Sequence, residues 1–372
     1  MYNTFNTKST APAFERALVL FFFQAVRLGL VSPRLFFKAL RIFLSQKRLA
    51  AVRKKYRESG VDVPPLIIFS ITKRCNLTCK GCYAMALSKS EGSELGEQKI
   101  DRILVEAQDL GVSIVLIAGG EPLTRPNILP LLASFPSMIF PMFTNGLLID
   151  DAAVAVLKKN SNIIPVLSLE GNKAHTDQRR GAGVYDGVIR KIGTLRRAGV
   201  LCGISLTVTQ DNFATVTSDA FIEHSVRQGC LLFFFVEYVP VDSATDHLVL
   251  SDDQRNAMTR ISAELTNRFK ALFIAFPGDE EQFGGCLAAG RGFVHINPTG
   301  DVEPCPFAPY SDASLRGLSL REALKSPFLY RIRRHHGLLT EGKSGCSLWE
   351  NRDRVLSLLH ENHPEARDSV NA

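Results

Sequence analysis

Between residues 65 and 275 short apolar runs alternate with segments whose apolar residues recur every three or four positions, a rhythm that predicts strands alternating with amphipathic helices. Six strands are expected, over 66–72, 113–118, 138–144, 163–169, 202–208 and 232–239, with helices near 97–110, 127–135, 150–159, 185–198, 212–228 and 251–272. Repeated β-then-α units call for a parallel sheet with right-handed crossovers, so the expected class is α/β, as a partial (β/α)6 barrel. Ahead of it lie two helical stretches, 13–30 and 32–46, the second opened by Ser32 as N-cap and Pro33 as first helical residue. There Arg34, Lys38, Arg41 and Ser45 form one polar stripe on an otherwise apolar cylinder. After Phe276 the periodicity fades and glycine, proline and three cysteines take over. The expected organisation is a basic amphipathic helical segment (1–60), a partial barrel (61–275) and a small cysteine-containing module (276–372).

Charge sharpens the picture at the N-terminus. The formal net charge is +7, yet residues 1–60 alone carry twelve Lys or Arg against two Glu, leaving the remainder slightly acidic. Because these cations are interleaved with Leu, Ile and Phe, an anionic membrane surface suits residues 13–57 better than a phosphate backbone, and no nucleic-acid partner is expected. Packing of the same helices on the barrel, with solvated basic tips, is the other reading. The apolar run 17–26 falls far short of the roughly 20 residues that span a bilayer. No secretory signal pattern is present, so the expectation is a cytoplasmic protein, peripheral on the inner face of the membrane if those helices do bind lipid. At 45% hydrophobic and 22% charged residues the composition is that of a folded globular chain.

Three of the eight cysteines, Cys75, Cys79 and Cys82, crowd the loop after the first strand, which points to metal rather than disulfides. Parallel barrels place their chemistry at that end of the strands. Three thiolates suit an iron-sulfur cluster with one iron left for an outside ligand; three Cys plus a His would instead make a zinc site. Gly119-Gly120-Glu121 ends the second strand, Thr144-Asn145-Gly146 the third, and Ser168-Leu169-Glu170-Gly171 the fourth, followed by His175, Asp177 and Arg180-Gly181. Paired glycines permit close backbone approach, and a carboxylate complements a cationic amine.

In this order the motifs resemble those of radical S-adenosylmethionine (SAM) enzymes. The resemblance spans roughly residues 62–350. It implies that Cys75, Cys79 and Cys82 hold a 4Fe–4S cluster whose unique iron binds SAM, and that reductive cleavage yields a 5'-deoxyadenosyl radical that abstracts hydrogen. It further implies SAM contacts from Gly119, Gly120 and Glu121 toward the ammonium group, from Thr144 and Asn145 nearby, and from Ser168, Glu170 and Arg180 toward the ribose or carboxylate. Glu170 replaces the usual Asp, and Gly81 stands where an aromatic residue is frequent. Cys286, Gly300 and Cys305, with Cys346 beyond, resemble the opening of SPASM and twitch modules, implying an auxiliary Fe–S cluster on those three cysteines. A peptide or protein substrate and a reducing partner such as flavodoxin or ferredoxin follow from the same resemblance, while the basic amphipathic N-terminus suggests a lipid or membrane-held substrate. Glu237-Tyr238-Val239-Pro240 faces the substrate or simply ends a strand, and Cys202 and Cys230 are expected in the core. The competing function is a non-catalytic iron-sulfur carrier or zinc-stabilised binding protein, which gives no reason for Gly119-Gly120-Glu121.

Overall fold

Branched and aromatic side chains fill the short runs between helices, and on a pleated surface buried from both sides they make parallel strands. The structure, a computed structural model, describes residues 18, 33–87, 92–276, 285–335 and 346–361, with the side chains of 33–43 and 259 outside that description. The elements are α1 (Pro33–Glu58), β1 (Leu66–Ser70), α2 (Tyr83–Leu87), α3 (Glu97–Asp109), β2 (Ile114–Ala118), α4 (Ile128–Ala133), β3 (Phe140–Thr144), α5 (Asp151–Lys159), β4 (Ile163–Leu169), α6 (Lys173–Arg180), α7 (Val184–Ala198) and β5 (Cys202–Val208). They continue with α8 (Phe213–Val216), α9 (Asp219–Arg227), β6 (Cys230–Glu237), α10 (Asp252–Arg268), β7 (Leu272–Phe276), β8 (Phe293–Ile296), β9 (Val302–Glu303), α11 (Leu320–Ala323), α12 (Pro327–Arg334), α13 (Ser347–Glu350) and α14 (Arg352–His360).

The nine strands among the described residues form one sheet in the order β7-β6-β5-β4-β3-β2-β1-β8-β9. Neighbours from β1 to β7 pair in parallel and in sequence order, the winding of a barrel wall rather than of a doubly wound sheet. The six expected strands are present as β1 to β6, in the partial barrel expected. β7 adds a seventh, and β8 lies parallel along the outer edge of β1, with Ile68 opposite His295, before turning back antiparallel as β9. The C-terminal segment is thus continuous with the barrel sheet.

Strand alternation then decides what faces the lumen. Phe143, Val166, Leu232, Phe234, Val236 and Ile274 pack together on one face, while the opposite parity joins the larger core beneath the helices. In α3, Ile100, Ile103, Leu104 and Ala107 supply the buried stripe at helical spacing. Carried to the C-terminal strand ends, the lumen parity selects Ser70 and Thr72, Asn145, Ser168 and Glu170, and Tyr238.

α1 corrects the membrane-facing reading of the N-terminal segment in part. The helix runs through the basic stretch to Glu58, and its second half buries Gln46, Leu49 and Arg53. The Arg53 guanidinium donates to the Gly111 carbonyl at 2.5 Å, and Arg321 stacks over the Tyr56 ring. This half is committed to the barrel, so Arg53 faces no lipid, although Lys47, Arg48, Lys54 and Lys55 are exposed. The earlier predicted helix, 13–30, lies outside the described residues apart from Leu18, as do the side chains of Arg34, Lys38 and Arg41. Among the described residues no helix is long and apolar enough to cross a membrane.

Candidate active site

The three clustered cysteines occupy the loop that leaves β1, Cys75 exposed and Cys79 and Cys82 half-buried. Burial pushes the Cys75 and Cys79 thiols upward; Arg180 and Arg179 pull Cys79 back, while Glu121 and the other two sulfurs push Cys75 further. The Cys75 and Cys79 thiols therefore each feel the charge of another sulfur of the loop, which makes anions there costly. A cationic iron cluster removes that cost, and soft thiolates are its ordinary ligands, so this donor set fits a cluster.

Several side chains that the motifs do not single out fasten the loop. Glu94 accepts from the Thr72 hydroxyl at 3.1 Å, the Lys73 amide at 2.7 Å and the Arg125 guanidinium at 3.0 Å. Asn145 Nδ2 donates to Asn76 Oδ1 at 2.7 Å, and the Lys80 amide donates to the Arg179 carbonyl at 2.9 Å. Asn76 lies inside the cysteine motif and Arg179 beside a motif arginine, so position alone was a hint for both.

Gly119 and Gly120 have a steric reason visible in the fold. The Gly120 amide donates to the Thr72 carbonyl and the Glu121 amide to the Arg74 carbonyl, both at 2.8 Å. Added Cβ atoms would lie 2.5 Å from Thr72 O at Gly119 and 2.2 Å from Arg74 O at Gly120. Only glycine lets the two loops cross. Gly120→Ala is expected to cost on the order of 3 kcal/mol in folding stability and to lower iron uptake on reconstitution; a urea midpoint and iron content equal to wild type would contradict this account.

Glu121 is anchored within the fold at the end of β2. It is 1% exposed, and its oxygens accept from Thr144 Oγ1 at 2.7 Å, the Asn145 amide at 2.8 Å and the Leu123 amide at 3.1 Å. Burial drives its carboxyl upward against those bonds. Glu121 thus ties the end of β2 to the end of β3. The Thr144 hydroxyl is likewise occupied, donating to Glu121 and accepting from the Gly146 amide at 2.9 Å. Of that motif, Asn145 is the residue that reaches the cysteine loop.

Glu170 and Arg180 are also turned toward each other. Glu170, 1% exposed, accepts from Arg179 at 2.6 Å and from Arg180 at 2.7 Å, and Arg179 also donates to Thr207 at 3.2 Å. α6, which carries both arginines, starts at Asn172, whose side chain caps the His175 amide, and stops at Gly181 with φ 116°. Both arginines pull the Cys79 thiol downward, and the Arg179 carbonyl accepts from the Lys80 amide. Ser168 sits half-buried at lumen parity.

A cavity of about 380 Å³ opens between Gly119-Gly120, the start of α2 and the β8–β9 hairpin, lined on its polar side by Ser70, Thr72, His295, Asn297 and Glu303. His295 is buried, its Nδ1 2.7 Å from Glu303 Oε2 and its Nε2 2.8 Å from Ser70 Oγ, and Asn297 Nδ2 donates to the other Glu303 oxygen at 2.8 Å. The sequence motifs assign no role to this hydrogen-bonded series. Its signal was a histidine and an asparagine at alternate positions of the apolar strand F-V-H-I-N, and so on the lumen face. Tyr83, next to Cys82, packs against Phe307, two residues past Cys305, with centroids 5.0 Å apart, joining the two cysteine regions. Cys286 and Cys305 are buried, their segments linked by the Ala289 amide on the Pro304 carbonyl at 3.0 Å, while Cys346 caps α13 half-buried. Cys202 and Cys230 face each other across β5 and β6 in the core, as expected.

A cysteine loop beyond the first strand, a double-glycine crossing beyond the second and a sequentially wound parallel sheet define a radical SAM enzyme, and the chain belongs to the radical SAM superfamily, whose family model matches residues 69–216. That membership brings a 4Fe–4S cluster and SAM, and it displaces the carrier and zinc alternatives. The mycofactocin maturase MftC of Mycolicibacterium smegmatis is 30% identical over 68% of this chain and 66% of its own. An AdoMet-dependent heme synthase of Methanosarcina barkeri is 24% identical over 73% of this chain and 84% of its own. Among solved structures, Streptococcus suis SuiB bound to the precursor peptide SuiA shares the fold at TM-score 0.60 and 20% identity, over 81% of this chain and 72% of that one.

Proposed function

We propose that this enzyme modifies a peptide, with Cys75, Cys79 and Cys82 holding the SAM-binding cluster and Cys286, Cys305 and Cys346 holding an auxiliary one in residues 276–372. When bound, the first cluster supplies the electron that cleaves SAM to the 5'-deoxyadenosyl radical. The chain's own part is to hold the cysteine loop through Asn145, Arg179 and Glu94, to present Gly119 and Gly120 beside the cavity, and to line that cavity with hydrogen-bonding groups. The cavity carries the reading: its size suits one or two residues of a peptide, and Ser70, His295, Asn297 and Glu303 offer donors and acceptors for amides and polar side chains. The similarity to a mycofactocin maturase and the fold shared with a peptide-bound SuiB support it. A flavodoxin or ferredoxin supplies the electron, and the exposed Lys47, Arg48, Lys54 and Lys55 are where α1 would meet an anionic membrane.

The test is anaerobic reconstitution with SAM and dithionite, offering separately deuterated peptides encoded by short reading frames beside the gene and deuterated iron-coproporphyrin III. The expected result is deuterium transferred from a peptide into 5'-deoxyadenosine, with a mass change in that peptide. Transfer from the macrocycle alone would replace this reading with a tetrapyrrole one, in line with the heme synthase likeness.

A further inference from the structure

Between Cys79 and Cys82 the loop turns at Gly81, with φ at +62°. A Cβ there would lie 2.5 Å from the Tyr238 phenol oxygen and 3.2 Å from Cε2 and Cζ of the same ring. Tyr238 follows β6 directly, keeps the lumen parity of Phe234 and Val236, and is 3% exposed. The ring therefore crosses from the β6 side of the sheet to the loop beyond β1 and takes the space a side chain at position 81 would need. Both ends of the residue are fixed. Its amide donates to the Val208 carbonyl at 2.9 Å, its hydroxyl donates to Thr245 Oγ1 at 2.9 Å, and Thr245 in turn donates to the Asp242 carbonyl at 2.5 Å.

We propose that Tyr238 is a positioning residue for the cluster loop, its ring propping the Gly81 turn and so fixing the spacing of Cys79 and Cys82. Glycine leaves this turn without a side chain of its own, and packing has to come from elsewhere. Asn145 and Arg179 hold the loop by hydrogen bonds at Asn76 and Lys80; Tyr238 holds it by volume. An aromatic ring does this at low entropic cost, since only two torsions must be frozen. The inference rests on the reading of Cys75, Cys79 and Cys82 as cluster ligands.

The experiment uses the full-length protein, anaerobically reconstituted, and follows the rate at which a ferrous chelator strips iron together with the electron paramagnetic resonance of the reduced cluster with and without SAM. Tyr238→Phe keeps the ring and should match wild type within about twofold, whereas Tyr238→Ala should release iron about tenfold faster and blunt the SAM-induced spectral change. Unchanged release and spectra in Tyr238→Ala overturn the proposal. Should Tyr238→Ala not fold, a cycle at the contact decides. Gly81→Ala alone should speed iron release, and adding Tyr238→Phe, which removes the colliding oxygen, should recover about half of the lost retention. Purely additive effects overturn it. Wild-type protein that takes up no iron through the three cysteines overturns both readings, while iron held indifferently to every Tyr238 variant overturns this one alone.

Discussion

Cys79→Ala protein, reconstituted with iron and sulfide, is expected to form no 5'-deoxyadenosine above background, a fall of at least about 10³-fold, because the interaction lost is one the reaction cannot do without. Cys79 sits mid-loop with Cys75 and Cys82 close enough to perturb it or one another, and with Arg179 and Arg180 favouring its anionic form. Folding should be nearly unaffected, since the side chain lies on a half-exposed loop and fills no core position. Chromatographic quantification of 5'-deoxyadenosine after dithionite addition, beside a thermal unfolding curve, separates the two effects. Turnover above about a tenth of wild type would mean that another residue completes the cluster.

Glu170→Ala should have the largest effect on stability, a loss of roughly 3 to 5 kcal/mol, because it strands two guanidiniums around an empty buried site. The carboxylate is 1% exposed and the arginine side chains only 18% and 11%, so solvent screens the pair little and the discount appropriate to surface bridges is small. Glu170→Gln keeps the volume and an acceptor and should lose less. For a chain of this size the alanine variant should melt about 5 °C lower, and it should load iron poorly, since Arg179 also carries the hydrogen bond to Lys80. A shift of less than about 2 °C would show that the arginines find other partners.

The strands were legible because uninterrupted apolar runs of Ile, Val, Leu and Phe have few other uses, and the cysteine loop because three thiols in eight positions are chemically unusual. β7 was not, since Phe269 to Ala271 contain no glycine or proline to mark where helix α10 stops, and its apolar residues read as one more helical turn. α6 was hidden for the opposite reason: it is polar all round, buries only Thr176, and is recognisable by its cap and by what its arginines touch. The acidic motif residues were located but their direction was not. A carboxylate beside a ligand motif reads as ligand-facing, and nothing local reveals that Glu121 accepts from Thr144 and the Asn145 amide, or that Glu170 Oε1 takes both α6 arginines while its buried Oε2 has no hydrogen-bond partner among the described residues. Only the tertiary pairing of β1 with β8 brings Ser70 to His295, so that chain of contacts had no sequence signal beyond a polar residue on an apolar strand.

That pairing has a consequence for how the molecule can be taken apart. β1 has β2 on one side, and on the other its amides and carbonyls would stand bare, a ready template for any passing strand. The chain caps this seam itself, with a segment that arrives more than two hundred residues after β1. A version cut before Phe293 would keep every motif of the catalytic half yet leave the β1 edge bare, so this late segment is what closes that seam of the sheet.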